Sequence, residues 1–216
     1  MSDEIGSYGW TAVPRDRSNV PSAEEAAAPQ TNAAAVDITG IWPDNELTKK
    51  ARHQIVTQYL PDWKSSTFFE TWALTCLFHD IGTTARNMSS THMSFDFQGG
   101  FIALAKLQEL GAAKIQAESV AEAIIRHQDP GETGTISAMG QLIQVATELD
   151  NMGWQPHLIS REVIEAVTRQ LPRLGWSTCF SQQIRKEIEQ KPWCHSTAIP
   201  GFADAVAGNE LMKPYE

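Results

Sequence analysis

The sequence has 216 residues, of which 42% are hydrophobic and 20% are charged, and this length and balance are ordinary for one globular domain. Its formal net charge is −9 and its largest basic cluster is only Lys49-Lys50-Ala51-Arg52, which argues against nucleic acid or an anionic membrane as a partner. The chain has no apolar run that could span a membrane, no apolar signal segment and an odd number of cysteines, so we expect a soluble, cytoplasmic protein with reduced thiols.

Two N-terminal segments are expected to precede the folded body. Residues 1–13 contain Tyr8, Trp10 and Val13, which can strap onto the body as a short arm. Residues 14–38 are rich in Pro, Ala and Ser, and their few large apolar side chains cannot offset the entropy of ordering, so a loose linker is predicted. The predicted organisation is an arm and linker over 1–40 and one helical domain over 41–216.

The remaining chain is dominated by apolar residues at three- and four-residue spacing, and no convincing alternating strand is present. The pattern predicts helices over residues 46–60, 67–81, 94–110, 114–128, 136–151, 161–171 and 177–190, with a short one over 202–207. Residues 83–93 are predicted to be a polar loop. The fold class that follows is all-α, a single helical bundle.

The helix predicted over residues 67–81 is expected to be central. Thr67 and Glu70 have the spacing of a capping box at its start, and Gly82 ends it. One face is apolar, formed by Phe69, Trp72, Ala73, Cys76 and Leu77. The helix is therefore expected to place the adjacent pair His79-Asp80 in the protein interior. An ionised carboxylate is unfavourable there unless a positive charge such as a divalent metal compensates it.

Two further residues end predicted helices and can converge on the same place. Asp150 ends the helix over 136–151, and His127 ends the helix over 114–128. Two carboxylates and one imidazole suit a divalent ion such as zinc, iron or manganese. His79 and Asp80 can equally be a buried histidine with a helix-terminal partner.

Two candidates for proton transfer and substrate orientation accompany these ligands. His127 can be a capping histidine at a helix C-terminus or a proton shuttle that titrates near neutral pH. Thr83 and Thr84 directly follow the His-Asp pair, and their hydroxyls can orient a small substrate or simply make the loop polar.

The histidines and aspartates together resemble the pattern of the HD superfamily, helical metal-dependent hydrolases and lyases. Longer segments are similar to the cyanamide hydratase (urea hydro-lyase) family of fungal HD-domain proteins. These segments are residues 74–84, 91–100 and 121–129, with shorter matches at 8–14, 149–153 and 191–193.

The resemblance implies hydration of cyanamide, or a similar small nitrile, to urea at one zinc ion, for which iron or manganese can substitute. It gives His79, Asp80 and Asp150 as metal ligands and His127 and Thr84 as catalytic residues that help move the proton to nitrogen. A water of lowered pKa at the metal attacks the nitrile carbon. The expected partner is a small-molecule substrate, and a homodimer is compatible with helical domains that have apolar tails.

The sequence departs from the family pattern in two places. The family begins its domain with an Asn-His-Ser segment whose histidine is the first metal ligand, and no Asn in this sequence is followed by His. His53 is the one histidine before His79, so it either replaces that ligand or is a surface residue. Ala85-Arg86 stands where the family commonly has Asp-Lys. A missing ligand is expected to weaken metal binding.

Two alternatives therefore stay open. One is an HD phosphohydrolase, for which Arg86 and Arg126 are the cations near the motifs. The other is a non-catalytic protein with the HD fold.

Overall fold

A computed structural model describes residues 5–27 and 66–216. The helix predicted over 46–60 lies outside the described residues, as do His53, residues 28–38 of the predicted linker and the predicted boundary between residues 40 and 41. The described helices are α1 (Ala23–Ala27), α2 (Ser66–Phe78), α3 (Ala85–Ser89), α4 (Phe95–Glu109), α5 (Lys114–Arg126), α6 (Ala138–Met152), α7 (Arg161–Gln170), α8 (Trp176–Gln190) and α9 (Phe202–Ala207). Short 3-10 turns occur at Ile81–Thr83, Pro156–Leu158, His195–Ala198 and Lys213–Tyr215. The predicted all-α class is confirmed.

Helix α2 is central, as predicted, because it packs against α5, α4 and α6. Its residues Phe68 and Trp72 join Ala123, Met139 and Ile143 in one buried cluster. The predicted apolar face is wrong at one position, however, because the side chain of Leu77 is 76% exposed. A helix that is apolar on most sides gives no single period from which to choose the buried face.

The ends of α2 also differ from the prediction. The described part of the helix includes Ser66, so Thr67 lies inside it and is not an N-cap residue. It ends at Phe78, so His79 and Asp80 follow the helix and precede the 3-10 turn Ile81–Thr83. This exit from the helix lets two adjacent side chains leave the ~100° spacing that a continuous helix would impose on them.

The structure contains two short strands that the sequence analysis did not predict. Strand β1 (Ala12–Pro14) pairs antiparallel with β2 (Thr135–Ser137), and Val13 lies opposite Ile136. Three-residue strands are too short to show alternation, so the prediction of no strand was wrong for that reason. In the described residues Val13 is buried, and the indole N–H of Trp10 donates to the carbonyl of Ile115, so this segment packs on the helices.

The described part of the predicted linker is held by hydrogen bonds and ion pairs. The guanidinium of Arg17 pairs with the carboxylate of Glu148 on α6. The side-chain amide of Asn19 donates to Gln141, also on α6, at 2.7 Å. The prediction of a loose segment therefore fails for these residues. The composition of the segment does not show that polar partners on a distant helix can bind it.

The predicted polar loop over residues 83–93 contains α3, whose Met88 is buried. The side-chain amide of Asn87 donates to the carbonyl of Ile81 at 2.9 Å, which ties α3 to the preceding turn. The polar composition concealed this helix. Gly82 in that turn packs so closely on α4 that a Cβ atom there would lie 2.0 Å from the carbonyl oxygen of Phe95.

The first residue of α4 is fixed by a buried carboxylate from α8. The backbone N–H of Phe95 donates to Glu187 Oε1 at 2.6 Å, and the hydroxyl of Ser196 donates to Oε2 at 2.7 Å. Lys191 Nζ lies 3.8 Å from Glu187 Oε1 and compensates its charge. A carboxylate at a helix N-terminus is favourable, so Glu187 anchors the end of α4 that faces the site described next. Within the described ranges, no helix is long and apolar enough to cross a membrane.

Candidate active site

The ends of α2 and α5 bring together three residues that the sequence singled out. His79 and Asp80 follow α2, and His127 follows α5. The Nε2 atom of His79 lies 3.2 Å from Asp80 Oδ2, and the Nε2 atom of His127 lies 3.8 Å from Asp80 Oδ1. The two imidazole rings are 5.6 Å apart between centroids and nearly perpendicular. We call these residues the His79–Asp80–His127 cluster.

Both imidazoles of the cluster are oriented by the backbone of their own helices. His79 Nδ1 donates to the carbonyl of Cys76 at 2.8 Å, and His127 Nδ1 donates to the carbonyl of Ile124 at 2.6 Å. A carbonyl oxygen can only accept, so the hydrogen is on Nδ1 in both rings. Each ring therefore turns Nε2, the nitrogen that can take a proton or a metal, toward the Asp80 carboxylate.

The carboxylate of Asp80 is buried without aligned hydrogen bonds. Neither of its oxygens has a hydrogen-bond partner of good geometry in the part of the chain that the structure describes, although His79 Nε2 is only 3.2 Å away. An ionised group in this setting requires a positive charge nearby. A proton on Nε2 of an imidazole or a bound divalent cation can supply that charge.

The pKa values of the three groups are driven apart by their surroundings. Burial alone would lower the pKa of His79, but the adjacent charge of Asp80 outweighs it and raises this pKa to about 9. Burial would raise the pKa of Asp80, but the charge of His79 lowers it overall. Burial lowers the pKa of His127. Without a bound cation, the cluster at neutral pH thus combines a charged imidazole, a carboxylate and a neutral imidazole that can act as a base.

Asp150, the third predicted metal ligand, is held by another partner. Its carboxylate pairs with the guanidinium of Arg173, which also lies 2.9 Å from Glu216 Oε1. Burial raises the pKa of Asp150, and Arg173 opposes that rise. No group of three or more His, Cys, Asp or Glu side chains among residues 5–27 and 66–216 has the geometry of a metal site. The charge of Asp150 also acts on the imidazole of His79, whose pKa it raises, and the role of Asp150 as a metal ligand stays a prediction.

Known proteins with similar sequences indicate the family of this chain. No protein-family model matches the sequence. Cyanamide hydratase DDI2 and cyanamide hydratase DDI3 of Saccharomyces cerevisiae are each 33% identical to it over 212 residues, which cover 90% of this chain and 93% of each relative. The chain belongs to the cyanamide hydratase family. Membership confirms the resemblance and the prediction of a hydro-lyase enzyme.

Thr84, predicted to be catalytic in this cyanamide hydratase family member, does not join the cluster. Its side chain is exposed, and its hydroxyl donates to the carbonyl of Ile81 at 3.2 Å. The hydroxyl of Thr83 likewise donates to the carbonyl of Asp80 at 2.7 Å. Both threonines satisfy the backbone of the 3-10 turn, and this explains their position after the His-Asp pair without contact to the imidazoles.

Two residues at the site were missed by the sequence analysis. The ring of Phe95 packs on the imidazole of His127, with centroids 5.8 Å apart. Arg173 holds Asp150 and is only 6% exposed in its side chain. Phe95 lies in one of the segments that resemble the family, which was a usable signal. For Arg173 no signal was available, because nothing in the local pattern links it to Asp150.

A small cavity borders His127 in this hydratase family member. It encloses about 30 Å³, room for one or two water molecules, and its walls include Thr147, Asn151 and Phe202. A larger cavity of about 370 Å³ shares the walls Pro130, Glu148 and Trp154 with it. The available space beside His127 itself suits a molecule of only a few heavy atoms.

Proposed function

We propose that this protein hydrates cyanamide to urea, or a nitrile of similar size to the corresponding amide. Family membership supports the reaction type. The observation that carries the proposal is the buried Asp80 carboxylate, which faces the Nε2 atoms of two imidazoles at 3.2 and 3.8 Å and has no aligned hydrogen bond of its own among the described residues. A buried carboxylate of this kind can bind a cation and orient the imidazole bases beside it.

We further propose that His79 and Asp80 hold a divalent metal, zinc or alternatively iron or manganese. The donor set fits, because imidazole nitrogen and carboxylate oxygen suit these ions and both Asp80 oxygens lack other partners in the described structure. When bound, such an ion lowers the pKa of a water molecule and supplies a nucleophile at neutral pH. Asp150 can join the set only by giving up its ion pair with Arg173.

His127 is the proposed base of the reaction. Its side chain is 2% exposed and its pKa is lowered by burial, so it is neutral and can accept a proton. Attack of the water oxygen forms the C–O bond and breaks one C–N π bond. One proton leaves the oxygen and one reaches the nitrile nitrogen, which gives isourea, and transfer of the second proton from oxygen to nitrogen gives urea. His127 can hold and return the proton in this sequence.

The phosphohydrolase alternative has less support. The guanidinium of Arg126 lies 3.5 Å from Glu122 and 3.6 Å from Asp129, so carboxylates already surround the cation that a phosphate ester would need. Arg86 is exposed on α3. The non-catalytic alternative does not agree with membership of an enzyme family.

The test is urea formation by the zinc-loaded protein with cyanamide, together with metal content per chain. Asp80→Asn keeps the shape of the side chain and removes its charge, and we expect it to lower the rate by at least about 100-fold and to lower the zinc content. The matched control is Asp204→Asn, since Asp204 is exposed on α9. Urea formation by the wild type that does not exceed that by Asp80→Asn would refute the proposal.

A further inference from the structure

The side chain of Gln128 is buried next to the proposed base and is not used in the proposal above. Gln128 directly follows His127 after α5, and it is only 6% exposed. Its amide oxygen, Oε1, has no hydrogen-bond partner among residues 5–27 and 66–216. A buried amide oxygen without a partner destabilises a folded protein, so its presence at this place points to a ligand that donates a hydrogen bond to it.

Gln128 and His127 line the same small cavity of about 30 Å³. Among the described residues that line it, Gln128 is the one whose side chain has a buried atom without a partner. The hydroxyl of Thr147 donates to a backbone carbonyl of its own helix, α6, at 2.9 Å. The Oδ1 atom of Asn151 accepts from an indole N–H of α8, also at 2.9 Å. Within the described structure, the amide oxygen of Gln128 is therefore an acceptor that remains free for a ligand.

The turn that contains Gln128 is held in place by a second glutamine. The side-chain amide of Gln144 on α6 donates to the carbonyls of Arg126 and Asp129, at 2.7 and 3.0 Å. The backbone N–H of Asp129 also donates to the carbonyl of Arg126, at 3.1 Å. Gln128 lies between these fixed backbone groups. Its position is therefore defined before a ligand binds, which lowers the entropic cost of binding.

The proposed substrate carries the group that such an acceptor recognises. Cyanamide has an amino group, with two N–H donors, attached to its nitrile carbon. Acetonitrile has the same number of non-hydrogen atoms, but a methyl group replaces the amino group and no N–H is present. Because acetonitrile would leave a buried amide oxygen unpaired, a site with this oxygen favours cyanamide over a nitrile of equal size.

We propose that Gln128 Oε1 accepts a hydrogen bond from the amino group of cyanamide and makes the site selective for cyanamide over nitriles that have no N–H group. This inference rests on the proposed function and adds the residue that recognises the substrate. The substituent nitrogen keeps an N–H donor during attack on the nitrile carbon and in the product urea. The hydrogen bond is thus present in the substrate complex and in the transition state, so it contributes to binding and little to the rate of the chemical step.

The experiment measures urea formation by the full zinc-loaded chain in the wild type and in Gln128→Met, which keeps the length of the side chain and removes the amide. We expect KM for cyanamide to rise about 10-fold, because one buried hydrogen bond to the substrate is lost. The value of kcat should change by less than about threefold, since the same bond is lost from the transition state. Zinc content per chain should be unchanged.

Acetonitrile, added as a competitor of cyanamide, separates the hydrogen bond from the shape of the cavity. In the wild type its inhibition constant should exceed the KM for cyanamide by at least about 10-fold. In Gln128→Met the inhibition constant should stay the same while KM for cyanamide rises toward it. The wild-type comparison needs no variant, so it tests the proposal even where Gln128→Met does not fold.

Thermal unfolding without substrate gives a readout that is independent of activity. Gln128→Met removes a buried polar atom that has no partner among the described residues, so its unfolding temperature should equal or exceed that of the wild type. Gln116→Met is the matched control. Gln116 is also 6% exposed and lies on α5, but its side-chain amide donates to the hydroxyl oxygen of Thr71 at 3.2 Å. This variant should unfold at a lower temperature and keep the wild-type KM.

The outcomes separate the two proposals. A wild type that makes no urea overturns the proposed function and this inference with it. An active wild type that binds acetonitrile as tightly as cyanamide, or whose KM is unchanged in Gln128→Met, overturns the role of Gln128 alone. An increase in KM that acetonitrile shares, or one that accompanies a loss of stability, assigns Gln128 a structural role and also overturns the inference.

Discussion

Three aspartates near the ends of helices have three different environments. Asp80 faces two imidazole nitrogens, Asp96 holds one imidazole, and Asp150 pairs with a guanidinium. A carboxylate beside neutral or titrating nitrogens can take part in proton transfer or metal binding, whereas one that is neutralised by arginine is already satisfied. Residue type alone therefore could not assign their roles.

The pairing of Arg173 leads to a prediction about stability. Its side chain is 6% exposed and holds both Asp150 and Glu216, so Arg173→Gln leaves two carboxylates without their cation. We expect the free energy of unfolding to fall by about 1–3 kcal/mol, since both partners keep some contact with water. Guanidinium chloride unfolding measures it.

Arg185→Gln is the matched control for that prediction. Arg185 pairs with Asp204, but their side chains are 51% and 84% exposed, and an ion pair of this kind contributes only about 0–0.5 kcal/mol. Equal losses in the two variants would show that burial of Arg173 does not determine its contribution.

At the scale of elements, the site depends on how closely the turn after α2 approaches α4. The backbone of Gly82 lies against Phe95, the residue whose ring packs on His127. The close contact between these two backbone segments therefore determines the position of the His79-Asp80 pair. It also determines how Phe95 packs on the imidazole of His127. The prediction that Gly82 ends the helix was wrong, since α2 ends at Phe78, and Gly82 matters instead through its close packing on α4.

Gly82→Ala tests that approach. A Cβ atom at this position would lie 2.0 Å from the carbonyl oxygen and 2.8 Å from the carbonyl carbon of Phe95, and backbone cannot move aside as a side chain can. We expect a loss of about 1–3 kcal/mol in the free energy of unfolding and slower urea formation. Chemical unfolding and the urea assay measure the two effects.

Gly99→Ala provides the comparison for that variant. Gly99 lies inside α4, and a Cβ atom there would have its nearest neighbour, Ile124 Cγ2, at an ordinary 3.4 Å. Alanine is favoured over glycine in a helix interior by up to about 1 kcal/mol, so this variant should be neutral or slightly more stable. If both variants behave alike, close packing at Gly82 is not the cause.

At the scale of the whole molecule, the N-terminal arm is joined to helices more than a hundred residues away. Val13 in β1 packs with Ile136 and Ala138, and the hydroxyl of Ser119 on α5 donates to the carbonyl of Tyr8. The arm thus packs on α5 and α6. His127 follows α5, and Asp150 lies near the end of α6.

Val13→Asp is expected to release this arm, because a carboxylate would be buried among apolar side chains. Trypsin should then cleave after Arg15 and Arg17 about tenfold faster than in the wild type, since local opening exposes those bonds. Limited proteolysis followed by mass spectrometry measures the rates. Thr11→Asp, a change at an exposed position of the same arm, should leave them unchanged.

Most of the longer helices and three residues of the cluster could be predicted from the sequence. The helix predicted over 177–190 is observed as Trp176–Gln190, and that over 114–128 as Lys114–Arg126. These predictions rest on apolar periodicity within one segment, and such local information survives without knowledge of the fold. The family motifs likewise placed His79, Asp80 and His127 in one site before their distances were known.

Which side chains each element contacts depends on the packing in three dimensions. This packing pairs β1 with β2, exposes Leu77, joins Asp150 to Arg173 and places Asp96 against the imidazole of His195. Each of these contacts joins groups whose spacing along the chain carries no periodic signal. Their free energies depend on distance, burial and charge in three dimensions, which a one-dimensional pattern does not contain.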